Sequence, residues 1–236
     1  MRIITIIIFI TVITIIFSPA KARAATIASK SASLTTKATV EPILAFSIAG
    51  INNDTAINTG NSGCPNNERT NTGFDSSSTE VNLGRLRDVS TSPNLTAQLL
   101  QITTNAQSGY ALTATSSRHL TNSSGTFSIA DSPTPVAFPK QQFFGIHPCG
   151  IDVPQIWRGN TELTCSTTQT ISSVCKYAWP AQNESLILAS DSTGPSGNDV
   201  TPGNGVISVG YAASINATVP AGLYSAVIRY IVTPTF

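Results

Sequence analysis

The sequence predicts an all-β protein, built as an antiparallel β-sandwich of the immunoglobulin-like or jelly-roll type. Apolar residues alternate with small polar residues over several short stretches, which is the period of a half-buried strand. Glycine, proline and asparagine separate these stretches at short intervals, as turns do in sandwiches. No sustained i, i+3, i+4, i+7 pattern follows the N-terminal apolar run, so no strong helix is predicted beyond it.

The two stretches nearest the C-terminus are the clearest predicted strands. In residues 206–215 one face holds the larger apolar side chains, namely Ile207, Val209, Tyr211, Ala213 and Ile215. In residues 223–232 the face predicted to be buried carries Tyr224, Ala226, Ile228, Tyr230 and Val232. Residues 219–222 read Val-Pro-Ala-Gly and lie between the two strands, which predicts a hairpin or a short crossover.

Four further strands are predicted upstream, over residues 36–48, 80–86, 95–104 and 110–116. The last two are joined by Asn-Ala-Gln-Ser-Gly, a short turn-forming loop that predicts a second hairpin. Pro42 interrupts the first of the four. Since proline cannot donate to a strand ladder, this stretch is predicted to lie at a sheet edge or a bulge.

Residues 1–24 have the order of a secretory signal peptide. Arg2 precedes an apolar run from Ile3 to Phe17, and small residues at Ala22 and Ala24 offer a cleavage site. The run is shorter than the roughly 20 residues that a membrane span needs. The sequence therefore predicts that residues 25–236 are a single domain without a membrane span, secreted or held at the cell surface, with an uncleaved anchor as the alternative.

Two long stretches, residues 52–78 and about 131–204, do not show the strand period. Loops of this length are uncommon inside a compact domain unless they are functional or disordered. The second stretch is rich in proline, glycine and serine, and it holds three of the four cysteines and both tryptophans. It is predicted to be an irregular insertion that disulfide bonds attach to the sandwich.

An even number of cysteines in an exported chain predicts disulfide bonds. The four residues are Cys64, Cys149, Cys165 and Cys175. Three pairings are open. In one of them Cys165 and Cys175 close a small loop, which leaves Cys64 for Cys149. A zinc site formed by His147 with the three later cysteines is an alternative, although the chain lacks a C-x-x-C pair.

Three aromatic residues of the insertion, Trp157, Tyr177 and Trp179, are candidate binding residues. Aromatic rings have flat apolar faces and a polar edge, which suit sugar rings or a partner protein. The alternative is that the three rings pack over the disulfide bonds. Serine, threonine and asparagine take the place of charged residues on the predicted surface, which favours neutral polymers such as glycans or an ordinary solvated surface.

The composition argues against several functions. Loss of Arg2, Lys21 and Arg23 with the signal peptide leaves ten basic and twelve acidic residues, a net charge near −2. Without a basic stripe, nucleic-acid binding is not predicted. The two histidines lie in no nucleophile motif, and G-x-S-x-G, H-E-x-x-H and P-loop motifs are absent. Asp191, Asn198 and Asp199 lack the spacing of an EF-hand. No catalytic residue, metal or cofactor is predicted.

Two segments resemble known bacterial proteins. Val-Pro-Ala-Gly-Leu-Tyr at 219–224, followed by Ile228-x-Tyr230-x-Val232, resembles the closing strand of spore-coat-U-type and pilin-like proteins and of W-x-L-type cell-wall domains. Thr-Thr-Asn at 103–105 with Gly-Tyr-x-Leu at 109–112 is similar to a hairpin of bacterial surface proteins. Trp157 is followed by Arg158-Gly159 and Trp179 by Pro180-Ala181, so no leucine stands at the third position and the W-x-L motif itself is absent, which argues against peptidoglycan binding.

These observations predict an exported, non-catalytic bacterial surface protein with a structural or adhesive role. Its expected partners are a cell-envelope polymer, a glycan or a surface protein, together with other copies of itself. One alternative is a pilus or coat subunit that polymerises by strand exchange, through the strand at 36–48 or the last strand. Another alternative is a secreted enzyme that acts on glycans.

Overall fold

Antiparallel strands dominate the part of the chain that the structure, a computed structural model, describes. The described residues are 34–57, 68–86, 93–139, 142–157, 175–200 and 202–236. The predicted signal peptide, Cys64 and Cys165 lie outside them. The described strands are Leu44–Gly50 (β1), Asn94–Thr104 (β2), Tyr110–Ser116 (β3), Thr121–Asn122 (β4), Val136–Ala137 (β5), Phe143–Cys149 (β6), Lys176–Tyr177 (β7), Ser185–Asp191 (β8), Val206–Ser214 (β9), Tyr224–Ser225 (β10) and Ile228–Pro234 (β11).

The longer strands form two sheets. One has four strands in the order β1-β2-β9-β6, and the other has three in the order β11-β3-β8. Two short pairs, β10 with β4 and β5 with β7, complete the described sheets. Every pair of named strands is antiparallel. The prediction of an all-β, antiparallel protein is therefore confirmed, and the single helical turn described is a 3₁₀ turn at Gln155–Trp157.

Both sheets contribute side chains to one hydrophobic core. Leu100 of β2, Leu112 of β3, Leu188 of β8 and Ile207 of β9 are all fully buried in it. The predicted inner face of the last strand also packs against this core, while Ile231 on the opposite face is exposed. The inner residues of β11 are half-buried rather than buried, because β11 is an edge strand.

Strand β9 is central in the four-stranded sheet, and all nine of its residues are buried. Its larger side chains, among them Val209 and Tyr211, face the common core as predicted. The opposite face carries small residues because another layer of chain lies on it. Ile57 comes so close to Gly210 that a Cβ built on this glycine would lie 3.4 Å from the Ile57 side chain. The four-stranded sheet is thus covered on both faces at this point.

The predicted hairpin between residues 95–104 and 110–116 is wrong. Strand β2 pairs with β1 and β9, whereas β3 pairs with β11 and β8 in the other sheet. The connection crosses from sheet to sheet, and it needs glycine at position 109, where φ is +68° and a Cβ would lie 2.2 Å from the carbonyl oxygen of Asp191. An alternating pattern shows which face of a strand is buried. It does not show whether the next strand pairs with that strand or lies across the core from it.

The other predicted elements are reproduced in part. Strands β9 and β11 lie in different sheets, so residues between them form the crossover rather than the hairpin. The stretch 80–86 forms no strand, and its apolar side chains, including Val81 and Leu83, pack against the core from a loop. The first predicted strand begins at Leu44, after Pro42, and it does lie at a sheet edge.

The structure differs from the prediction of an irregular insertion over residues 131–204. This stretch contains β6, an edge strand of the four-stranded sheet, and β8, an edge strand of the other sheet. Strand β6 is buried at all seven positions, so its sequence Phe-Phe-Gly-Ile-His-Pro-Cys does not alternate. The register of β8 against β3 shifts between Leu112 and Thr113, which interrupts the period of two.

Candidate functional site: a covered sheet face and an exposed edge strand

The outer face of the four-stranded sheet, directed away from the common core, is covered by a second, smaller apolar cluster. Its buried members are Leu95, Phe143, Cys175, Tyr177 and Ala212. The segment 175–179 is held there by paired backbone hydrogen bonds between Ile146 and Ala178, of 2.8 and 3.0 Å. The two stretches without a strand period, 52–78 and about 131–204, thus both contribute residues to the cover over this face.

The two described cysteines belong to this covered region. Cys149 is 3% exposed and Cys175 is fully buried, and both are disulfide-bonded rather than free thiols. Cys64 and Cys165 lie outside the described residues, so the pairing stays a prediction. His147 is buried beside them, with Nδ1 2.8 Å from the carbonyl oxygen of Lys176. Among the described residues, no group of three or more His, Cys, Asp or Glu side chains could hold a metal ion.

We expect thiol titration of the denatured, unreduced mature protein to find no free thiol, because export favours oxidation of all four cysteines. Reduction before the titration should then release four thiols, which serves as the internal control. Metal analysis of the same sample should find no zinc. Four free thiols together with bound zinc would contradict the disulfide prediction.

The three candidate aromatic residues are all buried. Trp157 and Tyr177 have no exposed surface, and Trp179 is 2% exposed. The indole N–H of Trp157 donates to the carbonyl oxygen of Ile187 at 2.9 Å, and that of Trp179 donates to Arg118 at 3.0 Å. The structure therefore places these rings in the packed interior, Trp157 and Trp179 in the common core and Tyr177 in the second cluster, with no face available to a ligand.

Glu68 is a buried residue that the sequence analysis did not identify. Its side chain lies in the covered region, where Oε1 is 3.6 Å from Sγ of Cys175. Its other oxygen, Oε2, has no hydrogen-bond partner, and the same is true of the hydroxyl of Tyr177. Burial raises the pKa of Glu68 to about 7. The neighbouring Arg69 is exposed and Thr70 is buried, but all three residues are polar, so the sequence carries no signal for the burial of Glu68.

The side chain of Asp152 links its own loop to Tyr110 of β3 and to Gly205, which directly precedes β9. Oδ2 of Asp152 accepts hydrogen bonds from the Tyr110 hydroxyl at 2.6 Å and from the Gly205 amide at 2.7 Å. Asp191 accepts from the side chains of Thr193, Ser196 and Asn204, at 2.8 to 3.1 Å. These carboxylates are engaged by donors of the chain itself, which gives both of them a structural role.

Strand β1 is an exposed edge strand with apolar side chains. Among the described strands it pairs only with β2, and six of its seven residues are exposed. Phe46 is opposite Ile102, whose side chain is in the core, so Phe46 is on the core-facing side of the sheet, yet it remains 36% exposed. Leu44 on the same side is 42% exposed. Apolar exposure continues upstream along residues 34–43, for which the structure describes no strand or helix.

A shallow groove of about 270 Å³ adjoins this strand. It lies where β1 and β2 meet the loop before β9, and polar side chains line much of it, among them Ser47, Gln101, Thr103, Asn198 and Asp199.

Within the described residues, no helix has the length and apolar character to cross a membrane. No protein-family model, curated protein or solved structure matches this chain. Functional inference therefore depends on the edge strand and the covered sheet face.

Proposed function

We propose that this chain is an exported, non-catalytic structural protein of the bacterial cell surface that associates with further copies of itself through strand β1. We also propose that its two sheets form a sandwich of the immunoglobulin-like or jelly-roll type, with disulfide bonds that fasten the cover over the outer face. The three aromatic residues that were candidates for adhesive binding, Trp157, Tyr177 and Trp179, are buried and therefore do not support an adhesive role. Support for the proposal therefore comes from the exposed edge.

Strand β1 carries the argument. An edge strand presents a row of unpaired backbone groups, and proteins usually protect such an edge with charged residues, proline within the strand or a very short strand. Strand β1 has seven residues, Leu-Ala-Phe-Ser-Ile-Ala-Gly, with no charge and no proline among them. An uncharged, partly apolar edge of this length favours addition of a further strand. The partner that fits best is an equivalent strand of a second copy.

A specific observation also favours the alternative of a pilus or coat subunit that polymerises by strand exchange. Strand β1 contacts the rest of its sheet through one neighbour, β2, and the chain before it is exposed over residues 34–43. A strand held on one side only can move to another copy with the loss of one set of ladder hydrogen bonds. The resemblance of residues 219–232 to the closing strand of pilin-like proteins agrees with this alternative.

We expect purified residues 25–236 to form a concentration-dependent series of oligomers in size-exclusion chromatography with light scattering. The Phe46→Lys variant should be monomeric, because a lysine on the edge strand opposes pairing with a second copy. Phe74→Lys is the matched control, since Phe74 is an exposed phenylalanine outside the strands, and this variant should oligomerise like the wild type. A wild-type protein that is monomeric at every concentration would contradict the proposal, as would equal oligomerisation of both variants.

A further inference from the structure

We propose that the shallow groove beside strand β1 is a binding site for one ring of a neutral saccharide. Its lining combines apolar groups with polar side chains that make no hydrogen bond within the described part of the chain. This inference goes beyond the proposed structural function, because it gives the protein a ligand, and it does not depend on self-association.

The groove lies where the cover over the outer face of the four-stranded sheet stops. Ile102 of β2 is buried in the common core, so its neighbours Gln101 and Thr103 are directed to the outer face. The second apolar cluster covers β2 near its start, at Leu95, whereas Gln101 and Thr103 lie near its end. The register places Ser47 of β1 opposite Gln101. Two neighbouring strands thus form an uncovered floor of polar side chains.

The wall of the groove is the loop before β9, and hydrogen bonds fix its described part in place. Ser196 exchanges two backbone hydrogen bonds with Thr104 of β2, of 2.8 and 2.9 Å. Within the loop, the Gly203 amide donates to Oδ1 of Asn198 at 2.9 Å. A groove held in this way is formed before a ligand binds, which reduces the conformational entropy that binding costs.

The polar side chains around the groove are available to a ligand. Within the described residues, no hydrogen bond engages Nδ2 of Asn198 or the side chains of Ser47, Gln101, Thr103 and Asp199. The two hydroxyls and the glutamine amide can both donate and accept, and the carboxylate accepts. A ligand that matches them carries several groups that donate and accept in turn, as the adjacent hydroxyls of a sugar do.

The rest of the described lining selects the kind of ligand. Asp199 is its one charged residue, and it contains no lysine, arginine or histidine, so a phosphate or an acidic sugar would meet repulsion without a compensating cation. Phe46, which is 36% exposed, and Val206 contribute apolar surface. A neutral pyranose ring has both a C–H face and a rim of hydroxyls, which suits this mixture. The groove of about 270 Å³ is smaller than the sites of ~300–1,000 Å³ that hold drug-sized molecules, so it accommodates one ring.

A second groove of the same volume, about 270 Å³, provides a comparison. Its lining residues are Phe74, Asp75, Ser77, Glu80 and Asn82. There Oδ1 of Asp75 accepts from the Asn53 amide at 2.7 Å, and Oδ1 of Asn82 accepts from the Gly84 amide at 2.8 Å. The hydroxyl of Ser77 accepts from the Glu80 amide at 3.0 Å. Because the chain itself already engages most of these polar groups, this groove is not expected to bind a sugar.

Saturation-transfer difference NMR on the full mature protein tests the site, because this method detects weak binding in any oligomeric state. Methyl β-glucoside and N-acetylglucosamine should both receive saturation, with dissociation constants on the order of 1 mM, as expected for a ligand of about this size. Asp199→Ala should weaken binding about tenfold and Gln101→Ala about fivefold, since each variant loses hydrogen bonds to the sugar. Glu80→Ala is the matched control, because it removes an exposed carboxylate from the second groove, and it should bind like the wild type.

Two charged sugars test the chemistry of the ligand. Glucuronic acid should bind more weakly than methyl β-glucoside, because its carboxylate is repelled by Asp199. Binding of glucosamine without binding of N-acetylglucosamine would overturn the proposal, since it would mean that the groove accepts an amine. Absence of saturation in both neutral sugars, or unchanged binding in Asp199→Ala, would overturn it as well.

The outcome is readable even where a variant is unstable. Circular dichroism shows whether each variant is folded, and if Gln101→Ala is not, Asp199→Ala decides alone because Asp199 is exposed in a loop. Binding of the neutral sugars by a protein that stays monomeric would support this site while contradicting the proposed self-association. Oligomers that bind neither neutral sugar would do the reverse.

Discussion

Replacement of Trp157 by alanine is expected to lower the free energy of unfolding by about 3–5 kcal/mol, the usual result for a fully buried tryptophan. The indole has no exposed surface, so its removal leaves a cavity in the common core. The change also removes the N–H that satisfies the carbonyl oxygen of Ile187. An acceptor left without a partner in the interior adds to the loss. Urea or guanidinium unfolding at fixed pH measures the effect.

Trp179→Ala should behave in the same way, because its ring is buried with a centroid 4.5 Å from that of Phe144 and its N–H is bonded to Arg118. Ile156→Ala provides the control for Trp157. Ile156 is the adjacent residue but is 58% exposed, so its replacement should change stability by no more than about 0.5 kcal/mol. Unchanged stability in both tryptophan variants, with loss of binding to a surface glycan, would contradict the packing role and restore the recognition role.

The parts of the fold that could be predicted from the sequence are those where one face of a strand is buried and the other is not. Strand β3 alternates at every position between buried and half-buried residues, and its extent, Tyr110–Ser116, was predicted without error. The inner face of β11 was predicted correctly for the same reason. In both strands the period of two arises from a single covered face, which a sequence records directly.

The parts that could not be predicted are those in which a second layer or an irregular pairing removes the alternation. Strand β6 lies between the common core and the cover that includes Tyr177, so both of its faces are buried and its pattern is continuous. In β8 the register shift after Leu112 has a similar effect. The pairing partner of each strand could not be predicted either, because Leu100 and Leu112 are buried in the same core although their strands belong to different sheets.

The candidate site shows the same limit. Trp157, Tyr177 and Trp179 were selected by residue type within a segment of weak pattern, and residue type does not distinguish a packed ring from an exposed one. Glu68 has the opposite character, since a lone glutamate in a polar stretch is normally a surface residue. Its burial depends on the layer formed by residues 52–57 and 68–72 together with the segment 175–177, which is a tertiary feature.

Asp152→Ala is expected to lower the free energy of unfolding by about 3 kcal/mol, because one carboxylate oxygen satisfies two groups that no water reaches easily. Tyr110, whose hydroxyl donates to it, is 2% exposed and begins β3, and the Gly205 amide that also donates to it directly precedes β9. Through its backbone oxygen, Asp152 also accepts from Ser190 of β8. Removal of the side chain therefore leaves two buried donors unpartnered where strands of both sheets converge.

The conservative variant separates this hydrogen-bonding role from charge. Asp152→Asn keeps an acceptor oxygen in the same position, so its free energy of unfolding should fall by only about 1 kcal/mol. Asp199→Ala is the control, because Asp199 is an exposed aspartate in the loop before β9, and its stability should stay within about 0.5 kcal/mol of the wild type. Equal losses in the asparagine and alanine variants would mean that the negative charge, and not the pair of hydrogen bonds, is what the core requires. That result is not expected, since burial raises the pKa of Asp152 and so disfavours its charged form.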